Sequence, residues 1–321
     1  MGERLEQAIA VLNGLAGDYL ERQDNGLATD MAFHDAGHAL ELSAAGIQRA
    51  HPRPTGRAAV FVHGVMCTES VWHFPGAAAD ASDYGRMLQR DLGITPFYVR
   101  YNSGRSIADN GAALATLLDA LHAAYPLELQ ELIPIGYSMG GLLVRSACHV
   151  AAARELSWLP RLKRAIYVGT PHVGAPAERV GRIVSRLLHA IPDPYTRLVG
   201  DIAELRSAGV KDLGDADLRH GDRAADSGRL SLRDRRHPVP LLSGIDHALV
   251  AGSLSMDPRV AALFGDSIVP LRSATAQQTI TPGAIDLPDD RIAVFPGRNH
   301  LDLAHDAEVY AFIKRHCEQT S

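Results

Sequence analysis

Residues 133–147 read IPIGYSMGGLLVRSA. A short apolar run enters Gly136-Tyr137-Ser138-Met139-Gly140, and a stretch with helical character leaves it. A serine with glycine two positions away on each side, at the junction of a strand and a helix, fits a nucleophile elbow. There the hydroxyl is thrust out of a sheet on a sharp turn that tolerates only small residues nearby. Read this way, 132–138 is a buried strand and 139–153 a helix, and the rest of the chain must supply a matching architecture and partners for the hydroxyl.

Moving outward from the elbow, similar runs recur. AAVFVHG from Ala58, TPFYVRY (95–101), RAIYVGT (164–170), VPLLSGI (239–245) and IAVFPG (292–297) are short, apolar and closed by turn residues, as buried strands are. Between them lie segments of helical length, 80–91 and 106–124, the second with Ser106 placed to cap it. Alternating strand and helix predicts a mostly parallel sheet covered on both faces. The run DAEVYAFIKRHC predicts a closing helix after the last strand.

Upstream, MAFHDAGHALEL places two short runs around Asp35-Ala36-Gly37 and predicts a tight hairpin. His34 and His38 stand four apart, but a hairpin keeps them off one helix face, so a zinc pair is not expected. Residues 1–29 form an N-terminal extension that begins as an amphipathic helix and serves either for packing on the core or for contact with a second copy. One interval breaks the rhythm. Residues 176–237 are too long for a plain crossover, and Val180, Ile183, Val184, Leu187, Leu188 and Ile191 make an apolar helical stripe. A helical cap or lid inserted in one domain spanning 30–317 is expected, and its stripe could meet a membrane surface when the lid opens.

Composition narrows the chemistry. Of 321 residues 46% are hydrophobic and 21% charged, which excludes disorder and fibrous classes. The net charge of −5 lacks the basic footprint of a nucleic-acid binder. Three cysteines without metal spacing fit a reducing compartment, and the absence of a secretory pattern makes the expected location cytoplasmic. Neither a phosphate-cradling glycine loop nor a helical zinc motif is present, so the expected chemistry needs no cofactor and no metal.

FVHGVMC after an early strand, GYSMGG at the elbow, GTPHVGAP after the next strand, GDSIVPLRSA late and GRNHLDL near the end together resemble the α/β-hydrolases of the lipase and carboxylesterase branch. The GTPH element with a helical insert behind it is similar to GPI inositol-deacylase-like hydrolases. The resemblance implies an α/β-hydrolase fold and a serine hydrolase cleaving small-molecule or lipid esters with an apolar acyl group. Transfer of the acyl group, cleavage of thioesters, or a non-catalytic binding module on the same scaffold are the alternatives.

A serine hydroxyl needs a base to take its proton and a carboxylate to orient that base. The resemblance implies His300 in GRNHLDL as the base, with His305 the competitor, and Asp266 in FGDSIVPLRSA as the acid, with Asp246 after LLSGI the competitor. It places the oxyanion donors on the amides of Met139 and of Val65, with Met66 as the alternative to Val65. Met66, Tyr137, His172 and Trp72 lie on loops that would line the substrate pocket. His63 is expected to brace its loop, and Cys67 to be a buried small residue and not a reactive thiol.

Overall fold

A computed structural model describes residues 3–76, 83–172, 210, 212, 239–255, 266, 269–275 and 287–318. The expected cap at 176–237 lies outside these residues except for Val210 and Asp212, as does its apolar stripe.

The elements run α1 (Glu3–Arg22), β1 (Ala32–Asp35), β2 (His38–Ala39), α2 (Ala44–Ala50), β3 (Arg57–Val62), α3 (Tyr84–Leu92), β4 (Thr95–Arg100), α4 (Ile107–Ala124), β5 (Glu131–Tyr137), α5 (Met139–Arg154), β6 (Arg164–Val168), β7 (Asp246–Ser253), a short α6 (Leu271–Ala274), β8 (Ile292–Pro296) and α7 (Ala307–Glu318). The strands form one sheet in the order β2-β1-β4-β3-β5-β6-β7-β8. β1 pairs antiparallel with β2 and β4, while β4, β3, β5, β6, β7 and β8 run parallel to one another in that order. The hairpin stands where the sequence places it, with Ala36 and Gly37 both at positive φ in its turn.

The near-continuous apolar runs follow from burial on both faces. Every residue of β5 is buried, and its side chains alternate between two cores. Leu132 joins α1, α4 and α5 through residues such as Leu15, Leu114, Leu118, Leu142 and Leu143. Ile133, Ile135 and Tyr137 join α3 and α7 through Trp72, Tyr84, Leu88 and Ile313. Fully burying each such large apolar side chain contributes about 1.5–3 kcal/mol. Helix ends are capped by the expected chemistry: Ser106 Oγ accepts from Asp109 N at 2.9 Å, and Asp83 accepts from Arg86 N at 2.9 Å, which starts α3 at Tyr84. Asp212 ties the long interval to this framework, its carboxylate accepting from Ile107 N at 2.9 Å.

One strand differs from the sequence reading. The run 239–245 precedes the strand, and β7 starts at Asp246. The true strand, DHALVAGS, carries His, Ala and Gly and so has weak strand propensity, but its place between β6 and β8 outweighs that. Asp246 therefore stands at the N-terminal edge, where its carboxylate pairs with Arg291 at 3.0 Å.

That edge is held by charge. Glu131 lies between two arginines on the neighbouring strands, with Arg57 Nε at 2.6 Å and Arg164 Nε at 2.5 Å. Both arginines also bond carbonyls at the end of α7, Arg57 to Cys317 (2.6 Å) and Arg164 to His316. At the opposite edge, register brings the strand ends level. Val62 faces Gly136, Tyr137 faces Val168, and Val168 faces Val250, so the segments that follow these strands emerge side by side.

Candidate active site

Ser138 occupies the sharp turn between β5 and α5 with φ 53° and ψ −123°, a conformation that costs roughly 1–3 kcal/mol for a residue with a side chain. Its amide bonds Val168 O at 2.8 Å and its carbonyl accepts from Gly141 N at 3.1 Å, so backbone contacts pin the strained residue from both sides. The elbow glycines are required by contact. A methyl group on Gly136 would stand 2.5 Å from Gly141 Cα, and one on Gly140 would collide with the carbonyls of Val62 and His63.

His300 and Asp266 meet at the same sheet edge. The imidazole Nδ1 lies 2.7 Å from Asp266 Oδ2, and both side chains are buried. His300 N also donates to Asp266 O at 3.1 Å, and Asp266 Oδ1 accepts from Val269 N at 2.7 Å, so the pair is fixed by backbone and side chain together. With Nδ1–H donated to the carboxylate, Nε2 carries the lone pair, and this buried atom has no hydrogen-bond partner among the described residues. Tyr137 Oη donates to His300 O at 3.2 Å, tying the histidine loop to the strand that ends at the serine. Gly169, at φ +60°, is a residue that sequence reasoning missed. A Cβ there would lie 3.0 Å from His300 Cε1, so only a residue without one lets the ring settle against the end of β6.

The competitors lie elsewhere. Asp246 sits at the far edge of the sheet, and His305 stands before α7 with Nδ1 3.4 Å from Val71 O.

The loop after β3 passes against the serine. A Cβ on Gly64 would be 3.0 Å from that of Ser138. His63 Nδ1 donates to Gly64 O at 2.8 Å, and because a trans peptide sets its N–H opposite its carbonyl, this bond aims the Val65 N–H away from His63. Burial pushes His63 down to about 4, so it stays neutral in this role near neutral pH. Met66 N is already donated, to Ser103 Oγ at 2.9 Å, which leaves Val65 as the available one of the two amides expected here. Met139 N begins α5, where no intrahelical acceptor exists for it. Among the described residues no acceptor is bonded to the amide of Val65 or of Met139.

The four residues expected to line the pocket all make contacts inside the described part of the protein. Trp72 is wholly buried against Phe61, Tyr84 and Tyr137; Tyr137 holds the histidine loop; Met66 packs under α1. His172 contacts the buried Arg145, whose Nη1 donates to His172 O at 3.0 Å and lies 3.2 Å from its Nδ1. Burial, with the Arg145 charge second, holds His172 well below the usual histidine range. Cys67 is half-buried, and desolvation pushes its thiol up to about 12, as expected of a packing residue. His34 and His38 lie on the two strands of the hairpin, and no cluster of three metal-ligating side chains occurs among the described residues.

Neither a protein-family model nor a curated protein matches the chain in sequence. Solved structures do match it in shape. A lipase of Bacillus licheniformis in mature form superposes with a TM-score of 0.50 at 18% identity, covering 83% of this chain and 94% of its own. A gene product of Listeria innocua gives 0.47 at 14% identity over 83% and 95%, and an α/β-hydrolase fold protein of Chitinophaga pinensis gives 0.44 at 11% over 83% and 91%. The chain has the α/β-hydrolase fold.

Proposed function

We propose that the chain is a serine hydrolase that cleaves carboxylic esters with an apolar acyl part through an acyl-enzyme. The observation that carries this reading is the buried His300–Asp266 pair, its outer ring nitrogen without a partner among the described residues, at the sheet edge where Ser138 is held in a strained turn. A lipase among the structures of like fold is in keeping with it.

In this reading Ser138 Oγ bonds the ester carbonyl carbon while its proton passes to His300 Nε2. Asp266 holds the ring in the tautomer that can accept it and stabilises the imidazolium that forms. The carbonyl oxygen, now an anion, receives the N–H groups of Val65 and Met139, donors fixed before the reaction and aided by the N-terminal end of α5. The carbon–oxygen bond to the alcohol breaks, and the alkoxide takes the proton from Nε2. Water then repeats the sequence on the acyl-enzyme, giving the carboxylic acid and free Ser138.

Hydrolysis of p-nitrophenyl esters of graded chain length, with labelling by a fluorophosphonate probe, tests this. The native protein should turn over and take one label; Ser138→Ala should do neither, with kcat lower by roughly a millionfold. A folded native protein that neither labels nor hydrolyses any ester of the series would overturn the reading.

A further inference from the structure

The donor attributed to Val65 lies on a loop whose shape is not self-supporting. Met66, one residue on, has φ +60°, a left-handed conformation that costs a non-glycine residue roughly 1–2 kcal/mol. Something must hold it there.

The segment after β4 supplies the contacts. Tyr101 Oη donates to His63 O at 2.8 Å, its ring stacks on His63 with centroids 4.3 Å apart, and Ser103 Oγ accepts from Met66 N at 2.9 Å. Tyr101 and Ser103 are both buried, so these bonds are made away from competing water. The segment is itself anchored. Asn102 Nδ2 donates to Gly17 O at 2.9 Å, Asn102 Oδ1 accepts from Gly104 N at 3.0 Å, and Asn110 Nδ2 donates to Asn102 O at 2.9 Å. Helix α1, kinked at Ala16, closes over the far side. A Cβ on Gly14 would collide with the Met66 side chain and stand 3.2 Å from Met66 Cα. Residues of the N-terminal extension thus pack on the loop, the first of the two uses expected for it.

We propose that Ser103 is a positioning residue for the oxyanion site: by binding the Met66 amide it fixes the Val65–Met66 peptide and keeps the preceding Val65 N–H aimed at the reacting carbonyl. The inference rests on the acyl-transfer reading above. Without the hydroxyl, Met66 N–H has no other acceptor among the described residues, and its peptide is free to rotate out of the strained conformation. Val65 N–H then loses its aim while Ser138, His300 and Asp266 keep their own contacts. Since the oxyanion exists only along the reaction path, the effect should fall on kcat and leave ground-state binding alone.

The test compares native protein, Ser103→Ala and Ser103→Cys, the last keeping the volume while weakening the acceptor. Active sites are counted by fluorophosphonate labelling, so that kcat is expressed per competent site and a misfolded fraction does not count. For Ser103→Ala, kcat should fall about ten- to hundredfold with KM within about twofold, and affinity for an alkyl boronic acid, which forms a tetrahedral anion on serine, should fall by a similar factor. Ser103→Cys should lie between, and it carries the same expectation if the alanine variant does not fold. An unchanged kcat per labelled site, or a change confined to KM, overturns the proposal. A native protein that neither labels nor hydrolyses indicts the functional reading instead.

Discussion

The two edges of the sheet use polar residues in opposite ways. At the N-terminal edge, charge meets charge: one carboxylate, Glu131, is shared by Arg57 and Arg164, and further donors of both arginines are taken by the end of α7. At the C-terminal edge, buried polar atoms are left without partners among the described residues, including His300 Nε2, His63 Nε2, Thr170 Oγ1 and His172 Nε2. An unsatisfied buried polar atom costs about 1–3 kcal/mol, so such atoms gather only where something else requires them. One edge is arranged to hold the sheet together, the other to keep hydrogen-bonding capacity in reserve.

Substitutions can break this contrast. The largest effect is expected from Asp266→Asn, which preserves shape but offers His300 a donor in place of an acceptor and so favours the wrong tautomer. Ester turnover should drop about 10⁴-fold with the melting temperature little changed; a drop in stability matching the loss of rate would place Asp266 with the structural residues. Next is Glu131→Gln, which removes the carboxylate that Arg57 and Arg164 share. Denaturant titration should show a loss of about 3–5 kcal/mol, while kcat of the protein still folded stays native. A fall in kcat would mean that the two edges are coupled.

The smallest effect concerns acid. The folded-state value of His63 is about 4, against about 6.5 for an unperturbed histidine. Between these values the unfolded chain binds a proton that the folded chain refuses, so stability falls as pH drops from about 6.5 toward 4, by about 3 kcal/mol from His63 alone. Burial lowers His34, His51, His172 and His247 as well, and all act in the same direction. Melting curves from pH 7.5 to 4.5 should show the decline, and His63→Gln should flatten it; an unaltered slope would remove His63 from the account.

The elbow at the C-terminal edge was legible in the sequence because its geometry demands particular residue types. Glycine at 136 and 140 is dictated by backbone contact, and the serine between them stands where a strand meets a helix. The hairpin and five further strands were readable from apolar runs closed by turn residues. β7 was not, because a strand enclosed by neighbours on both sides does not need strong β-formers, whereas the run before it has them. Ser103 and Gly169 were invisible for a different reason: each acts through one contact with a residue far along the chain, Met66 for one and His300 for the other, and a lone serine or glycine carries no pattern. The internal contacts of the residues expected to line the pocket could not be read from adjacency in sequence. Tyr137 neighbours Ser138 in sequence, yet in a strand successive side chains leave on opposite faces, and its phenol goes into the core, where it bonds His300 O.

The chain has two tryptophans, and the sheet separates them. Trp72 lies in the core with α3 and α7, and Trp158 in the core with α4 and α5, where its indole N–H bonds Ala115 O at 3.0 Å. Each layer therefore holds its own fluorophore, both shielded from water. Replacing either with phenylalanine leaves emission from a single layer, so the red shift on unfolding can be timed for one face of the sheet at a time.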